Sequence, residues 1–218
     1  MDDAPLKMER QWLGRVSYEK GLTLQNDAVA QRLAGQMPDT VFLLEHDPVY
    51  TIGRTNDKSS LQGESAVLPF PVFETNRGGK ATYHGPGQLV GYPVIDLRSY
   101  GQDLHTYLRS LEKALVSSCH EFGVNSTTRK GLTGVWCEER KIASIGIGVR
   151  HWISMHGFAI NVCGDLTPFE RITPCGINGV KMTSISREAG REINLEEFAA
   201  TVLTCLQCEL AKLARTTT

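Results

Sequence analysis

The chain has 218 residues, 41% of them hydrophobic and 22% charged, which suits one sizeable domain and leaves little room for a second core. Its formal net charge is −1, so no basic field points to nucleic acid, and no apolar run approaches the roughly 20 residues that would span a bilayer. The first ten residues carry Asp2, Asp3 and Glu9 and lack the apolar core of a secretory signal, so a cytoplasmic protein with reduced cysteines is expected.

In chain order, the spacing of Leu22, Leu24, Val29 and Leu33 predicts a helix from Tyr18 to Arg32. Thr40 to Glu45 is a short apolar strand, ended by a His46-Asp47-Pro48 turn in which His46 is expected as a capping or surface residue. Extended structure resumes at Val49 to Gly53, a polar loop covers Asn56 to Leu68, and Pro71 to Thr75 forms another strand. Leu89 to Leu97 reads as a strand whose Pro93 suggests an edge position or a bulge. Leu104, Leu108, Leu111, Leu115 and Cys119 recur at helical spacing, predicting a core-facing helix from Leu104 to Phe122 with Gly123 at its end. Three strands follow as a meander, Gly134 to Cys137, Lys141 to Val149 and Ser154 to Val162, and a last helix spans Leu195 to Leu213. Cys205 and Cys208 form a C-x-x-C inside that helix; without further ligands, and away from a helix N-terminus, they read as packing residues. Strands and helices interleave without a regular β-α-β rhythm. The expected fold is therefore α+β, one domain over residues 1–218 with an ordered core of about 12–213, its mixed or antiparallel sheet flanked by helices.

Between the strands lies Arg77-Gly78-Gly79-Lys80-Ala81-Thr82-Tyr83-His84-Gly85-Pro86-Gly87-Gln88. Four glycines and a proline forbid a regular helix and let backbone approach a partner closely, while the intervening side chains offer hydrogen bonds. The stretch reads as a ligand-holding loop. In the meander, Ile145, Ile147 and Val149 alternate with Ser144, Gly146 and Gly148, and Phe158, Ile160 and Val162 with Gly157, Ala159 and Asn161. A face stripped to small residues suits either an acyl-chain slot or a closely packed helix. Cys175, between Pro174 and Gly176 in a loop, is the best-presented thiol and a candidate nucleophile, for which a nearby cation would stabilise the thiolate. Lys141 is the candidate cation, although from the residues alone the favoured reading is that it continues the hairpin charges Glu138-Glu139-Arg140. Strict alternation sets it with Ala143, Ile145 and Ile147 and away from Gly146, so sharing a pocket with the small face requires a bulge. His84, His156 and Cys175 lack the spacing of a metal-ligand set, and no metal is expected.

The run from Arg77 to Tyr92 resembles the signature of the octanoyltransferases of lipoate biosynthesis. Lys141-Ile142-Ala143-Ser144-Ile145-Gly146-Ile147, His156 to Val162 and Pro174-Cys175-Gly176 resemble that family's later blocks, in its order. The resemblance runs from about the first strand through Ser184. It implies the fold of the biotin and lipoate protein ligases, with Cys175 as acyl-carrying nucleophile and Lys141 as its activator and proton shuttle. It further implies octanoyl contacts from Arg77, Gly78, Gly79, Lys80, Ala81, Thr82, Tyr83 and His84, from Ser144, Ile145 and Gly146, and from Gly157, Phe158 and Ala159. Octanoyl-loaded acyl carrier protein would be the donor. Lipoyl domains of 2-oxoacid dehydrogenase complexes and the glycine cleavage H protein would be acceptors, with neither ATP nor metal as cofactor. No membrane or nucleic-acid partner is implied, a monomer is expected, and the oxyanion donors are sought in backbone near Gly176 or Gly79. The alternative is an ATP-dependent lipoate or biotin protein ligase of the same fold, in which Cys175 would be dispensable.

Overall fold

The computed structural model describes residues 8–55, 58–61 and 68–215. In chain order its elements are β1 (Glu9–Val16), α1 (Tyr18–Leu33), β2 (Thr40–His46), β3 (Val49–Ile52), β4 (Val72–Glu74), β5 (Thr82–His84), β6 (Gln88–Val94), α2 (Leu104–Glu121), β7 (Thr127–Arg129), β8 (Leu132–Cys137), β9 (Arg140–Arg150), β10 (Ile153–Asn161), β11 (Lys181–Met182), α3 (Ile185–Ala189) and α4 (Leu195–Arg215). Short 3-10 turns lie between some of them.

The helices start where the sequence supplies caps. Ser17 accepts the Lys20 amide at the head of α1, and Asp103 accepts the His105 and Thr106 amides at the head of α2. Strand β2 shows how the layers form. Val41 and Leu43 join a core with Leu111 and Leu115 of α2 and Phe198, Val202 and Leu206 of α4, while Phe42 and Leu44 join Ala28 and Val29 of α1 on the other face. Each valine, leucine or phenylalanine side chain so buried contributes about 1.5–3 kcal/mol.

The large sheet runs β1-β2-β6-β10-β9-β8-β7, with β11 added to β9. The β1–β2 and β9–β11 pairs are parallel and the rest antiparallel, so the sheet is mixed, as expected for the α+β class. A smaller sheet, β4-β3-β5, carries the predicted ligand-holding loop to the site.

Several expectations need correction. The first strand, β1, lies upstream of any predicted element; its charged and exposed residues (Glu9, Arg10, Gln11) mask the strand pattern because it is a sheet edge. His46 is no surface turn residue: it ends β2 at 0% exposure. Pro93 lies in β6, a fully buried strand between β2 and β10. It is tolerated because its carbonyl, and with it the side of its missing N–H, faces β10 past the last regular pair Phe158↔Gly91, where the Ser154 hydroxyl donates to that carbonyl in place of a ladder bond. His156 (φ 56°) and Gly157 (φ 156°) carry β10 off the ladder, and a Cβ on Gly157 would stand 2.6 Å from Pro93 Cδ. Of the predicted loop from Asn56 to Leu68, residues 56, 57 and 62–67 lie outside the described residues; Lys58–Ser60 make a 3-10 turn. Cys205 packs against the α2/α4 core, whereas Cys208 is exposed.

Candidate active site

The position of Lys141 follows from one irregularity. Val135 pairs with Ala143 but Trp136 pairs with Lys141, so β9 spends two residues where β8 spends one. Ile142 and Ala143 both turn into the α2/α4 core, and Lys141 and Ser144 emerge on the same side. This is the bulge that simple alternation lacked. Lys141 is only 1% exposed; its Nζ donates to the Thr133 carbonyl at 2.8 Å and to Cys175 Sγ at 3.4 Å, and lies 5.2 Å from the centre of the Trp136 ring. Ser144 Oγ lies 3.5 Å from the same sulfur.

Cys175 reaches this spot on a strained backbone. Its φ of 56° and ψ of 15° lie in the left-handed region, which costs a residue other than glycine on the order of 1 kcal/mol or more. Its N–H is tied to the Ala81 carbonyl at 2.8 Å, with Pro174 fixing the approach and Gly176 (φ 69°) continuing the turn. Of the backbone near Gly176 and Gly79 in which oxyanion donors are sought, the Gly176 N–H donates to the Thr173 carbonyl. Burial pushes the thiols of Cys119 and Cys137 up to about 12, leaving them protonated near neutral pH.

From Cys175 a narrow cavity runs across three strands. Its floor is Ser144 and Gly146 of β9, then Ala159 and Gly157 of β10, which face them in register, then Val90 and Tyr92 of β6. Ile145 and Phe158 complete the lining on these strands. The small face is therefore a trough, and what covers it is loop backbone: a Cβ on Gly146 would stand 2.7 Å from the Gly78 carbonyl. Arg77 pins this cover. Its guanidinium donates to the carbonyls of Thr51, Gly78 and Lys80 and to Thr51 Oγ1, while burial lowers its pKa. On the other side of Cys175 a wider cleft opens between α2 and β9, lined by Leu104, Leu108, Leu132, Ile147 and Ile177.

The far end of the trough is polar, and the Arg77 guanidinium stands close enough to act on its tyrosines and histidines. Tyr18, His84, Tyr92 and His156 line it. Desolvation lowers His84 to about 3 and His46 and His156 to about 4, so all three are neutral at pH 7. His46 Nδ1 donates to the Val16 carbonyl, which leaves Nε2 to accept the Tyr92 hydroxyl at 2.6 Å. His84 Nδ1 donates to Gln88 Oε1 at 2.7 Å, and Gln88 Nε2 donates in turn to Asn161 Oδ1.

The structure thus gathers Cys175, Lys141, Arg77, Gly78, Gly79, Thr82, His84, Ser144, Ile145, Gly146, Gly157, Phe158 and Ala159 around one cavity and its mouth. Three members of the predicted set lie elsewhere. Strand β5 alternates, so Thr82 and His84 face the cavity and Tyr83 faces Tyr50, Phe70 and Phe169. Ala81 is buried in that same cluster and contributes its carbonyl. The Lys80 side chain lies against Gly176, outside the lining. Sequence reasoning missed Tyr18, Val90 and the Thr133 carbonyl. Tyr18 is far from the motifs in sequence, Thr133 lies on the strand before the Lys141 block, and no local pattern marks any of the three. Tyr92, the last residue of the first motif, supplies the end wall. Among the described residues, no three His, Cys, Asp or Glu side chains are gathered as a metal would require.

The family model of the lipoyl protein ligase A/B catalytic domain matches residues 17–207. The octanoyltransferase of Geobacter sulfurreducens is 51% identical over 87% of this chain and 79% of its own length. Among solved structures, an archaeal bipartite lipoate protein ligase from Thermoplasma acidophilum aligns over 96% of this chain and 91% of its own, with a TM-score of 0.72 at 16% identity. The biotin protein ligase of Aquifex aeolicus aligns over 95% and 71%, with a TM-score of 0.60 at 14% identity. The two structures show a shared fold, and the sequence matches go further: the chain belongs to the lipoyl protein ligase A/B catalytic family and, within it, to the octanoyltransferases.

Proposed function

We propose that the protein moves octanoyl from acyl carrier protein to a lysine of lipoyl domains through an octanoyl-cysteine on Cys175, without ATP or metal. The observation that carries this reading is Lys141 Nζ at 3.4 Å from Cys175 Sγ, at the mouth of a trough floored by small residues. The Lys141 ammonium stabilises the Cys175 thiolate. The thiolate attacks the donor's carbonyl carbon, the bond to the pantetheine sulfur breaks, and that sulfur takes a proton from Lys141. Neutral Lys141 then takes a proton from the acceptor lysine's ammonium. The freed amine attacks the thioester, the bond to Cys175 Sγ breaks to regenerate the thiolate beside the Lys141 ammonium, and the amide's surplus proton passes to solvent.

Dimensions support the acyl chain. From β9 to β6 the trough crosses two strand spacings, about 10 Å. A straight eight-carbon chain with bonds of about 1.5 Å measures about 9 Å. The wider cleft beyond Cys175 would take the pantetheine arm and then the acceptor lysine. The acceptors would be the lipoyl domains of 2-oxoacid dehydrogenase complexes and the glycine cleavage H protein, met by a cytoplasmic monomer. Among the described residues no helix is long and apolar enough to cross a membrane.

Intact-protein mass spectrometry after mixing with octanoyl-acyl carrier protein, without ATP, tests the reading. A thiol-labile octanoyl adduct is expected on the wild type, absent in Cys175→Ser and slower to form in Lys141→Ala by about 10²–10⁴-fold. No adduct, together with ATP-dependent transfer of the free acid to a lipoyl domain, would replace the transferase with a ligase.

A further inference from the structure

Behind Lys141 stands a group that the mechanism above does not use. Glu112, on the inner face of α2, is 0% exposed beside Leu111 and Leu115. A buried carboxylate is costly unless its oxygens are matched, and both are: one faces Arg109, the other accepts the Gly134 N–H at 2.9 Å. That N–H belongs to the Thr133–Gly134 peptide, whose carbonyl accepts Lys141 Nζ at 2.8 Å. The N–H and C=O of a trans peptide point in opposite directions in one rigid plane. The peptide therefore joins Glu112 on one side to Lys141 on the other.

Its surroundings show that Glu112 holds this peptide. The β7–β8 pairing shifts register between Thr127↔Trp136 and Arg129↔Leu132, so Thr133 and Gly134 fall in the gap and β7 offers them no regular ladder. Gly134 adopts φ 122°, and a Cβ there would stand 2.8 Å from Lys141 Cε and 2.4 Å from the Ala143 carbonyl. The peptide is thus pressed onto the lysine chain with no room for a side chain between. The bulge in β9 turns Lys141 to the site face, and the Thr133 carbonyl sets where on that face its Nζ rests.

We infer that Glu112 is the positioning residue of Lys141, acting through the Thr133–Gly134 peptide to hold the ammonium within reach of Cys175. The inference rests on the reading of Lys141 and Cys175 as the working pair. A carboxylate on the N–H end also polarises the peptide, strengthening the carbonyl's hold on the ammonium.

Two substitutions separate reach from charge. Glu112→Asp keeps a carboxylate for Arg109 but ends one methylene short of Gly134, about 1.5 Å. Glu112→Gln keeps the length and an oxygen acceptor. Two rates would be read on each variant, after a thermal melt shows it folded at the assay temperature: alkylation of Cys175 by iodoacetamide, and kcat and KM for octanoyl transfer. In Glu112→Asp, alkylation and kcat should both fall on the order of 10-fold or more, with KM for the donor within about 2-fold. Glu112→Gln should recover most of both rates. Wild-type rates in Glu112→Asp, or a loss in Glu112→Gln as large as in Glu112→Asp, would overturn the inference. Alkylation needs no acyl donor, so failure of the wild type to form an octanoyl adduct would sink the transferase reading separately.

Discussion

The two faces of β9 and β10 come from the same residues in alternation, yet they are built to opposite ends. Toward α2 and α4 the strands present Ile142, Ala143 and Ile160, packed into the main core. On the other side they present Ser144, Gly146, Gly157 and Ala159, which bury nothing large and leave the trough. One face stabilises the fold and the other gives up packing to make room. The difference teaches that a strand can serve both ends at once, provided an irregularity moves the reactive residue to the proper side. At Ile142 and Ala143 that irregularity is a bulge.

The contrast can be broken by filling the empty face. Gly146→Val would drive its Cβ against the Gly78 carbonyl and its methyls into the trough, and transfer should fall 10²-fold or more, with about 1–3 kcal/mol of stability lost as the loop backbone shifts. Ile160→Ala, on the packed face of the neighbouring strand, should cost stability without costing transfer: a loss of about 2–5 kcal/mol by denaturant melt, with kcat retained below the melt. If both substitutions cost stability alone, the two faces do not differ in role.

Protons probe the same contrast more gently. His46, His84 and His156 sit on the trough side with folded values of about 4, 3 and 4, below the ordinary 6.5. Below pH 6.5 the unfolded chain binds protons that the folded chain refuses. Their contribution is therefore complete above about pH 6.5 and is lost as the pH falls toward 4, at about 1.4 kcal/mol per histidine per unit. The melting temperature should drop between pH 7.5 and 5.5, and less steeply in His84→Gln. A flat profile would mean these rings are not held neutral.

The smallest effect is expected at the end wall. Tyr92→Phe removes the hydroxyl that His46 Nε2 accepts and leaves that nitrogen buried without it, at a cost of about 1–3 kcal/mol in a denaturant melt. The ring still closes the trough, so the ranking of acyl donors by length should not change. A changed ranking would show that the hydroxyl, not the ring, sets the end.

Most of the architecture was legible because its signals are local. The α2 stripe, the meander strands and the small-residue alternation each need only neighbouring residues to be read. Cys175 stood out through Pro174 and Gly176, and the loop through its glycines. What could not be read was set by distant partners. Pro93 is central only because the β10 ladder is interrupted at His156 and Gly157 opposite it, and His46 is buried only because α1 and Tyr92 close over it. Lys141 faces the site through a register shift between β8 and β9 that no single strand records. Tyr83 and Ala81 lie within the motif, yet they serve the small sheet's core and not the cavity wall.

The trough crosses the strands and does not follow them, and this gives the molecule an unusual unit of measurement. An alkyl chain laid there would be graduated coarsely by strand spacing, about 4.8 Å or nearly four carbons, and finely by whichever side chain closes the row on β6. Sheet geometry hardly varies, so relatives on this scaffold would differ in acyl length chiefly by exchanging Val90 and Tyr92 for larger or smaller residues. The coarse scale would be inherited with the fold, leaving the last carbon or two to evolve.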